Sequence, residues 1–315
     1  MKGWVKVLSC VLVFAMMVSV TACSSSSSDN ADGGSAGKVT LTLWGDWTGE
    51  AEQQILTMVN KFNESHDKIQ IKYRVIEDLP TKFLTAATSG SAPDIMIWDR
   101  WRTAVYAPKN VFHPINDYMK KDNVSKDSFY QEALKELSVG DKLYGLPLTV
   151  DARVLFYNKK YLKEAGVEPP KTWDELEQAA IKLTKWNGDK LERAGFSLGD
   201  VGLFSMYLRQ AGGQMVNEDG TKTMFNSEAG IKVLKFWDKL VHEDKVYQVG
   251  FESGLGEGTD PFVTGKVAML YSGPWMINTY KKYGKDLDFG IAPPPAGPSG
   301  ERGSGMGGFG LVIPE

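Results

Sequence analysis

The stretch Leu43 to Gly49, LWGDWTG, places two tryptophans around a carboxylate where a strand pattern gives way to a helix pattern. A turn of that kind ordinarily recruits small polar residues, so Asp46 and Trp47 point to work beyond reversing the chain. The same chemistry recurs three times. Trp98-Asp99-Arg100 follows an apolar strand, Asp151 interrupts the apolar run TVDARV, and Trp275 sits in the turn-like YSGPWM. A sugar ring packs its C–H groups on an aromatic face and gives paired hydrogen bonds from its hydroxyls to a carboxylate, so these pairs suit a carbohydrate. Asp151 is the sharpest of them, because an ionisable group inside an apolar run costs free energy unless it is paired or functional. Its structural alternative is an ion pair with Arg153 or Arg100.

The elements that must position these residues alternate strand and helix, which predicts an α/β architecture. Lys38 to Leu43 alternates as a strand, and Glu50 to Asn63 carries Ile55, Met58, Val59 and Phe62 at helical spacing. IQIKYRVI is a second strand, LPTKFLTAATSG a helix ending near Gly90, and APDIMIWD an apolar strand of the kind buried on both faces. LPLTVDARVLFY, Leu146 to Tyr157, reads as extended chain leaving a first lobe. KTWDELEQAAIKLTK starts on a capping box, Thr172 with Glu175, which makes Trp173 a packing residue. SEAGIKVLKFWDKLVHED aligns Ile231, Leu234, Trp237, Leu240 and Val241 on one stripe, predicted as core. The prolines after Ile291 suit a stiff crossover, and the glycine-rich run from Gly303 to Gly310 a loop before the strand FGLVIP. In open α/β sheets, ligands bind beyond the carboxyl ends of the strands, which is where Asp46, Trp47, Trp98 and Asp99 fall.

Of 315 residues, 42% are hydrophobic and 24% charged, enough for two lobes with a sizeable core. Removing Lys2 and Lys6 with an N-terminal segment takes the formal charge from −3 to −5, and no dense basic patch exists, which argues against a nucleic-acid role. The three histidines, His66, His113 and His242, lack partners at metal-ligand spacing. There is no GxSxG, no GxxxxGK[ST], and no GxGxxG opening a helix after a strand. Early lysines, the apolar run Val7 to Val20, and small residues at Thr21 and Ala22 form an export signal. Val20-Thr21-Ala22-Cys23 resembles the bacterial lipoprotein signal, with cleavage before Cys23, lipid on Cys23, and residues 23–37 as a Ser/Gly-rich tether. The remaining body then has no thiol, because Cys10 leaves with the signal.

The four motifs LTLWGDWTGEAEQQILTMVNKFNE, SAPDIMIWDRWRTAVYA, YGLPLTVDARVLFYNKKYLKEAGVEPPKTWDEL and FVTGKVAMLYSGPWMIN together resemble the extracellular solute-binding proteins of ATP-binding-cassette (ABC) importers, in the carbohydrate-binding branch that includes maltose-binding protein. The resemblance covers Lys38 to Glu315. It implies a two-lobed, type II periplasmic-binding-protein-like α/β fold, each lobe a mixed sheet flanked by helices, with residues 38–149 and 291–315 in the first lobe, 150–290 in the second, and hinge strands between. The ligand would be an oligosaccharide, captured by hinge closure and delivered to permease subunits. The chain would act as a monomer without cofactor or metal, held to the membrane only through its lipid anchor. Carried over position by position, the ligand-facing residues are Asp46, Trp47, Trp98, Asp99, Arg100, Asp151 and Trp275, with Phe204 as a weaker second-lobe aromatic and Met306 and Gly307 bordering the cleft. Family chains continue with further helices that complete the second lobe, so an apolar face is expected to be exposed where those are missing.

Several positions have a second reading. Trp44 either packs under the helix or faces the cleft, Trp98 has core burial as its rival, and Trp101 serves either the site or the next helix. The chemistry of Trp275 fits core as well as site. As an alternative function, Asp46, Asp99 and Asp151 offer the carboxylate pair of a surface glycoside hydrolase, although nothing around them in sequence signals the raised pKa its acid needs. A binding protein for a non-sugar solute is a further alternative, and an adhesin would show no closure.

Overall fold

The computed structural model describes residues 38–218, 220–254 and 259–315; the expected signal segment, Cys23 and the tether lie outside them. In chain order the principal strands are β1 (Val39–Gly45), β2 (Ile69–Val75), β3 (Ile95–Asp99), β4 (Gly145–Pro147), β5 (Asp151–Ala152), β6 (Val154–Asn158), β7 (Met269–Ser272), β8 (Phe289–Ala292), β9 (Met306–Gly307) and β10 (Phe309–Val312). The helices that matter for the site are α1 (Gly49–Ser65), α2 (Leu79–Ser89), α3 (Gln131–Glu136), α4 (Trp173–Leu183), α5 (Phe204–Gln210), α6 (Glu228–Asp238) and α7 (Met276–Tyr283).

A five-stranded sheet runs in the order β2-β1-β3-β10-β4. β1 is parallel to β2 and β3, and α1 and α2 supply the crossovers that parallel neighbours need. α2 begins with Pro80 in its first turn and stops at Gly90, whose left-handed φ of 68° ends the helix. The chain's last strand, β10, inserts antiparallel between β3 and β4, with Phe309 opposite Asp99 and Gly310 opposite both Trp98 and Pro147. This sheet therefore closes only when residues 309–312 come back to it.

The pleat of β3 sends alternate residues to opposite faces. Ile97 joins Leu43, Ile55 and Val59 under α1. Met96 and Trp98 enter the other core with Leu79, Phe83, Phe112 and Leu137. The Trp98 ring meets Phe83, Tyr106 and Phe112 edge-on at 4.8–5.6 Å and is 1% exposed. The expectation that Trp98 faces a ligand is corrected: its neighbours in the strand fix it on the helix-covered face.

A second, three-stranded sheet has β6 at its centre, antiparallel to β7 and β8. Leu155 points into a large core with Trp173, Leu176, Phe196 and Tyr207, and Phe156 into a smaller one with Phe262 and Tyr280. The capping box of α4 forms with a shift of one residue. Thr172 Oγ1 accepts from the Glu175 N–H at 3.2 Å, while Glu175 Oε2 accepts from the Lys171 N–H at 2.7 Å. Trp173 is buried, stacks on Phe236 at 4.5 Å and donates to Gln210 Oε1 at 2.8 Å.

Two expectations change here. The buried stripe of α6 and the turn after it runs through Gly230, Val233 and Leu240, whereas Ile231 and Leu234 are 51% and 56% exposed. Leu234 instead lines an open apolar groove with Trp237, Val241 and Val249. The crossover also falls later than residue 291. β8 still pairs with β6, Ala296 bridges Thr172, and the Gly303 carbonyl accepts from Gln210 Nε2 at 2.7 Å, so the chain leaves the second sheet's surroundings only around Ser304.

The Trp98→Ala variant should lose about 3–5 kcal/mol of unfolding free energy, the usual cost of emptying a large aromatic site. Chemical denaturation at unchanged slope measures it; a loss below about 1 kcal/mol would mean the ring is not packed as described.

Candidate functional site

Asp99 closes β3, and the residue after it, Arg100, is fully buried. Its Nε meets Glu136 Oε2 of α3 at 2.8 Å, its Nη2 donates to the Gly307 carbonyl at 2.6 Å, and its Nη1 donates to the Thr149 carbonyl. Its backbone N–H donates to the Gly308 carbonyl at 3.3 Å. Thr149 lies on the segment leaving the first sheet and Gly307 on the segment returning to it, so one guanidinium ties both crossings. Gly308 adopts a φ of 128°, and a Cβ there would lie 2.3 Å from the Thr149 carbonyl oxygen and 2.4 Å from Arg100 Nη1. Only glycine lets the backbone come so close. Arg100, expected at the ligand, sits beneath the site and shapes it from below.

Above that floor the crossings pair as β5 and β9, with Asp151 opposite Gly307 and Ala152 opposite Met306. A Cβ on Gly307 would stand 2.7 Å from Asp151 Oδ1, so the glycine makes room for the carboxylate. Burial raises the Asp151 carboxyl above the usual range, with Arg153 and then Arg100 pulling it back. Arg153 Nη1 stands 3.5 Å from Asp151 Oδ1, at the long limit for a hydrogen bond, and the Arg153 guanidinium lies over the Trp275 ring at 4.4 Å. Trp275 is the N-cap residue just before α7 and is 45% exposed.

On the first-sheet side, Trp47 is half-buried, meets Phe309 edge-on at 5.1 Å, and accepts at its carbonyl from the Tyr73 hydroxyl at 3.2 Å. Asp46 beside it is exposed. Asp99 Oδ2 accepts from the Trp101 indole N–H at 2.7 Å and lies 3.9 Å from Arg102 Nε. Burial raises the Asp99 carboxyl too, opposed by the Trp101 hydrogen bond and Arg102 and assisted by the charges of Asp46 and Glu136. Both Asp99 and Asp151 thus carry the raised pKa for which the sequence offered no signal.

The site therefore gathers Asp46, Trp47 and Asp99 from the carboxyl ends of β1 and β3, Asp151, Met306 and Gly307 from the crossings, and Trp275 from the second sheet's side. Phe204 is not among them: it is half-buried at the start of α5 and packs into the second core against Trp237 at 6.0 Å. Trp44 is partly buried and packs with the Trp98 core, whereas Trp101 is 57% exposed. A cross-link outside the crossings joins Lys282 of α7 to Glu50 of α1 through a salt bridge. Lys282 carries no signal in the sequence, and Arg153 reads there only as a charge partner for Asp151. The spacing of Arg153, two residues on in extended chain and hence on the same side as Asp151, was the available signal. Among the described residues no group of three His, Cys, Asp or Glu side chains is placed to hold a metal, and no helix is long and apolar enough to cross a membrane.

Two α/β lobes joined by paired crossing strands, with aromatic and acidic residues at the crossing, define a two-lobed binding protein of the type II periplasmic class. The chain belongs to the bacterial extracellular solute-binding protein family, whose profile matches residues 46–315. It is similar to a Brucella abortus (strain 2308) protein, 27% identical over 279 residues, covering 85% of this chain and 66% of that one, just under two thirds of the relative's own length. It is 26% identical over 323 residues to the arabinooligosaccharide-binding protein of Bacillus subtilis (strain 168), covering 98% of this chain and 72% of that one. Among solved structures it is similar to CpMnBP1 with mannobiose bound, at TM-score 0.79 and 30% identity, covering 88% of this chain and 74% of that one. Family members are binding proteins for solutes met outside the cell.

Replacing Arg100 with Met leaves Glu136 and two carbonyls without their donor and should cost about 3 kcal/mol or more. Arg100→Lys should not restore it, because an ammonium on a flexible stem cannot span three acceptors; a denaturation midpoint equal to the parent's for Arg100→Lys would refute the clamp. Asp151 carries the opposite sign. Its raised carboxyl pKa means that ionisation costs folded-state stability, a cost present at neutral pH and relieved as pH falls through the raised value. The Asp151→Asn variant should therefore exceed the parent in Tm at pH 7 and lose that advantage towards pH 4, as followed by thermal melts.

Proposed function

We propose that this chain captures a carbohydrate, an oligosaccharide, outside the cell and delivers it by hinge closure to the permease subunits of an ABC importer. One observation carries this reading: Trp47 packs on Phe309 at the first sheet, Trp275 lies against Arg153 at the second, and the crossing strands between the two sheets hold Asp151, which offers two aromatic residues and a carboxylate to a ligand that closure would enclose. Asp46, Trp47, Asp99, Asp151 and Trp275 contact the sugar, Met306 and Gly307 border it, and Arg100 holds the crossing strands beneath. The sugar-binding names of the relatives support the ligand class. We divide the lobes at the crossings around Thr149 to Arg153 and Ser304 to Gly308. The chain works as a monomer without nucleic acid, exported and tethered through lipid on Cys23.

The raised carboxyl pKa of Asp99 and Asp151 favours one second reading, a glycoside hydrolase in which one of them is the acid. Release of reducing ends from an oligosaccharide, abolished in Asp151→Asn, would put that reading first.

Tryptophan fluorescence titrated with arabino-, manno- and malto-oligosaccharides of one to three units is the deciding experiment. One sugar class should give a saturable change, with the trisaccharide bound more tightly than the monosaccharide because each tryptophan adds a stacking face. Asp151→Ala and Trp275→Ala should each weaken it about tenfold or more, equivalent to about 1.4 kcal/mol. A well-folded chain that responds to none of these sugars would assign the cleft to another solute.

A further inference from the structure

Trp275 is an exposed aromatic on the second-lobe side of the crossing and is assigned a sugar ring above, yet its ring is in use. The Arg153 guanidinium lies over it at 4.4 Å. Against it also lies Gly273: a Cβ there would fall 1.8, 2.2 and 2.5 Å from three consecutive atoms of the benzo ring. The middle atom is the nearest, which sets that Cβ over the outer rim of the benzo ring, so a side chain at position 273 would collide with the indole and only glycine lets the ring lie against this backbone. Arg153 is itself anchored through its backbone. Its N–H donates to the Gly305 carbonyl at 3.1 Å, and its carbonyl accepts from Ser304 Oγ at 2.7 Å. Among the described residues the side chain, by contrast, has the Trp275 ring and the long 3.5 Å approach to Asp151 as its charge and aromatic contacts. Its stem is therefore fixed at the crossing while its head is lightly held.

We propose that Arg153 is the specificity gate of this site: its guanidinium caps the Trp275 face, and a sugar ring stacks there only by displacing it towards Asp151. The inference rests on the carbohydrate reading above. A planar guanidinium and a pyranose ring compete for the same aromatic face, the first by charge and stacking, the second by C–H contact. The displaced head has an acceptor at hand, since Asp151 Oδ1 is already 3.5 Å away, and a closer approach to it leaves Oδ2 for a sugar hydroxyl. Solutes too small or too poorly shaped to replace the stacking contact are rejected, because they leave Arg153 on the ring. Gating at this position also couples the two crossing strands to the ligand, since Arg153 is hydrogen-bonded to the returning segment at Ser304 and Gly305.

The test compares the parent chain with Arg153→Ala and Arg153→Gln, each with and without Trp275→Phe, so that the Trp275 signal is obtained by difference. Without sugar, acrylamide quenching of Trp275 should rise in both Arg153 variants. With the oligosaccharide that saturates the parent, affinity should rise about threefold or more in both, the scale of an exposed cation–π contact removed. Unchanged quenching overturns the proposal, as does unchanged or weakened sugar affinity, which would make Arg153 a bystander or a ligand contact. Arg153→Gln keeps hydrogen-bonding capacity and covers the case in which Arg153→Ala does not fold. If no sugar binds the parent, the carbohydrate reading fails, and the quenching result alone decides whether Arg153 caps the ring.

Discussion

A buried guanidinium governs this molecule. Arg100 comes from the end of β3, is closed off from solvent, and reaches Glu136 together with the carbonyls of Thr149 and Gly307. A buried cation is costly unless its donors are matched, and here the matching partners are a carboxylate of the first lobe and the backbones of both crossing segments. Satisfying one charge thus fixes where the chain leaves the first sheet and where it returns. Gly308 is the corollary, since any side chain there would collide with both Thr149 and Arg100.

The remainder of the site is laid on that fixed point. With the crossings held, β5 and β9 pair, Gly307 yields space to Asp151, and Arg153 projects to Trp275. The first lobe meets them through Trp47 on Phe309, the first residue of β10 two positions beyond β9. Both lobes are consequently referenced to a few residues of backbone, which is what a hinge must provide if two rigid cores are to move without losing the geometry between them. The salt bridge from Lys282 to Glu50 is of another kind: it is solvent-exposed, and an exposed pair of this sort contributes little to stability.

The electrostatics of the crossing are those of a place kept partly dry. Asp99 and Asp151 are both raised by burial, and each is pulled back by a cation or an indole N–H close by. A carboxylate in that condition is short of hydrogen bonds, and hydroxyl donors from a sugar would supply them at little desolvation cost because the protein has already met it.

What the sequence determined by itself was whatever local chemistry decides. Alternation in VTLTL and IQIKYRVI gave strands, 3.6-residue spacing gave the helix after LWGDWTG, and Thr172 with Glu175 gave a capped start, because pleat, helical pitch and capping are properties of neighbouring residues. The oddity of Asp151 in an apolar run was legible for the same reason. Faces and partners were not. Trp98 and Trp275 both lie next to a turn-forming residue, Asp99 and Pro274, and only the covering of β3 by α2 sends one to the core while the end of β7 leaves the other exposed. Ile231 and Leu234 fit a buried stripe by period together with Leu240, but the second lobe keeps Leu240 and packs on Val233 in their place, a rotation that period alone cannot specify. Arg100 looked like a ligand-facing charge until the return of residues 307–309, some 200 positions away, enclosed it. Contacts between residues that far apart are set by which surfaces the cores leave available, so only tertiary structure decides them.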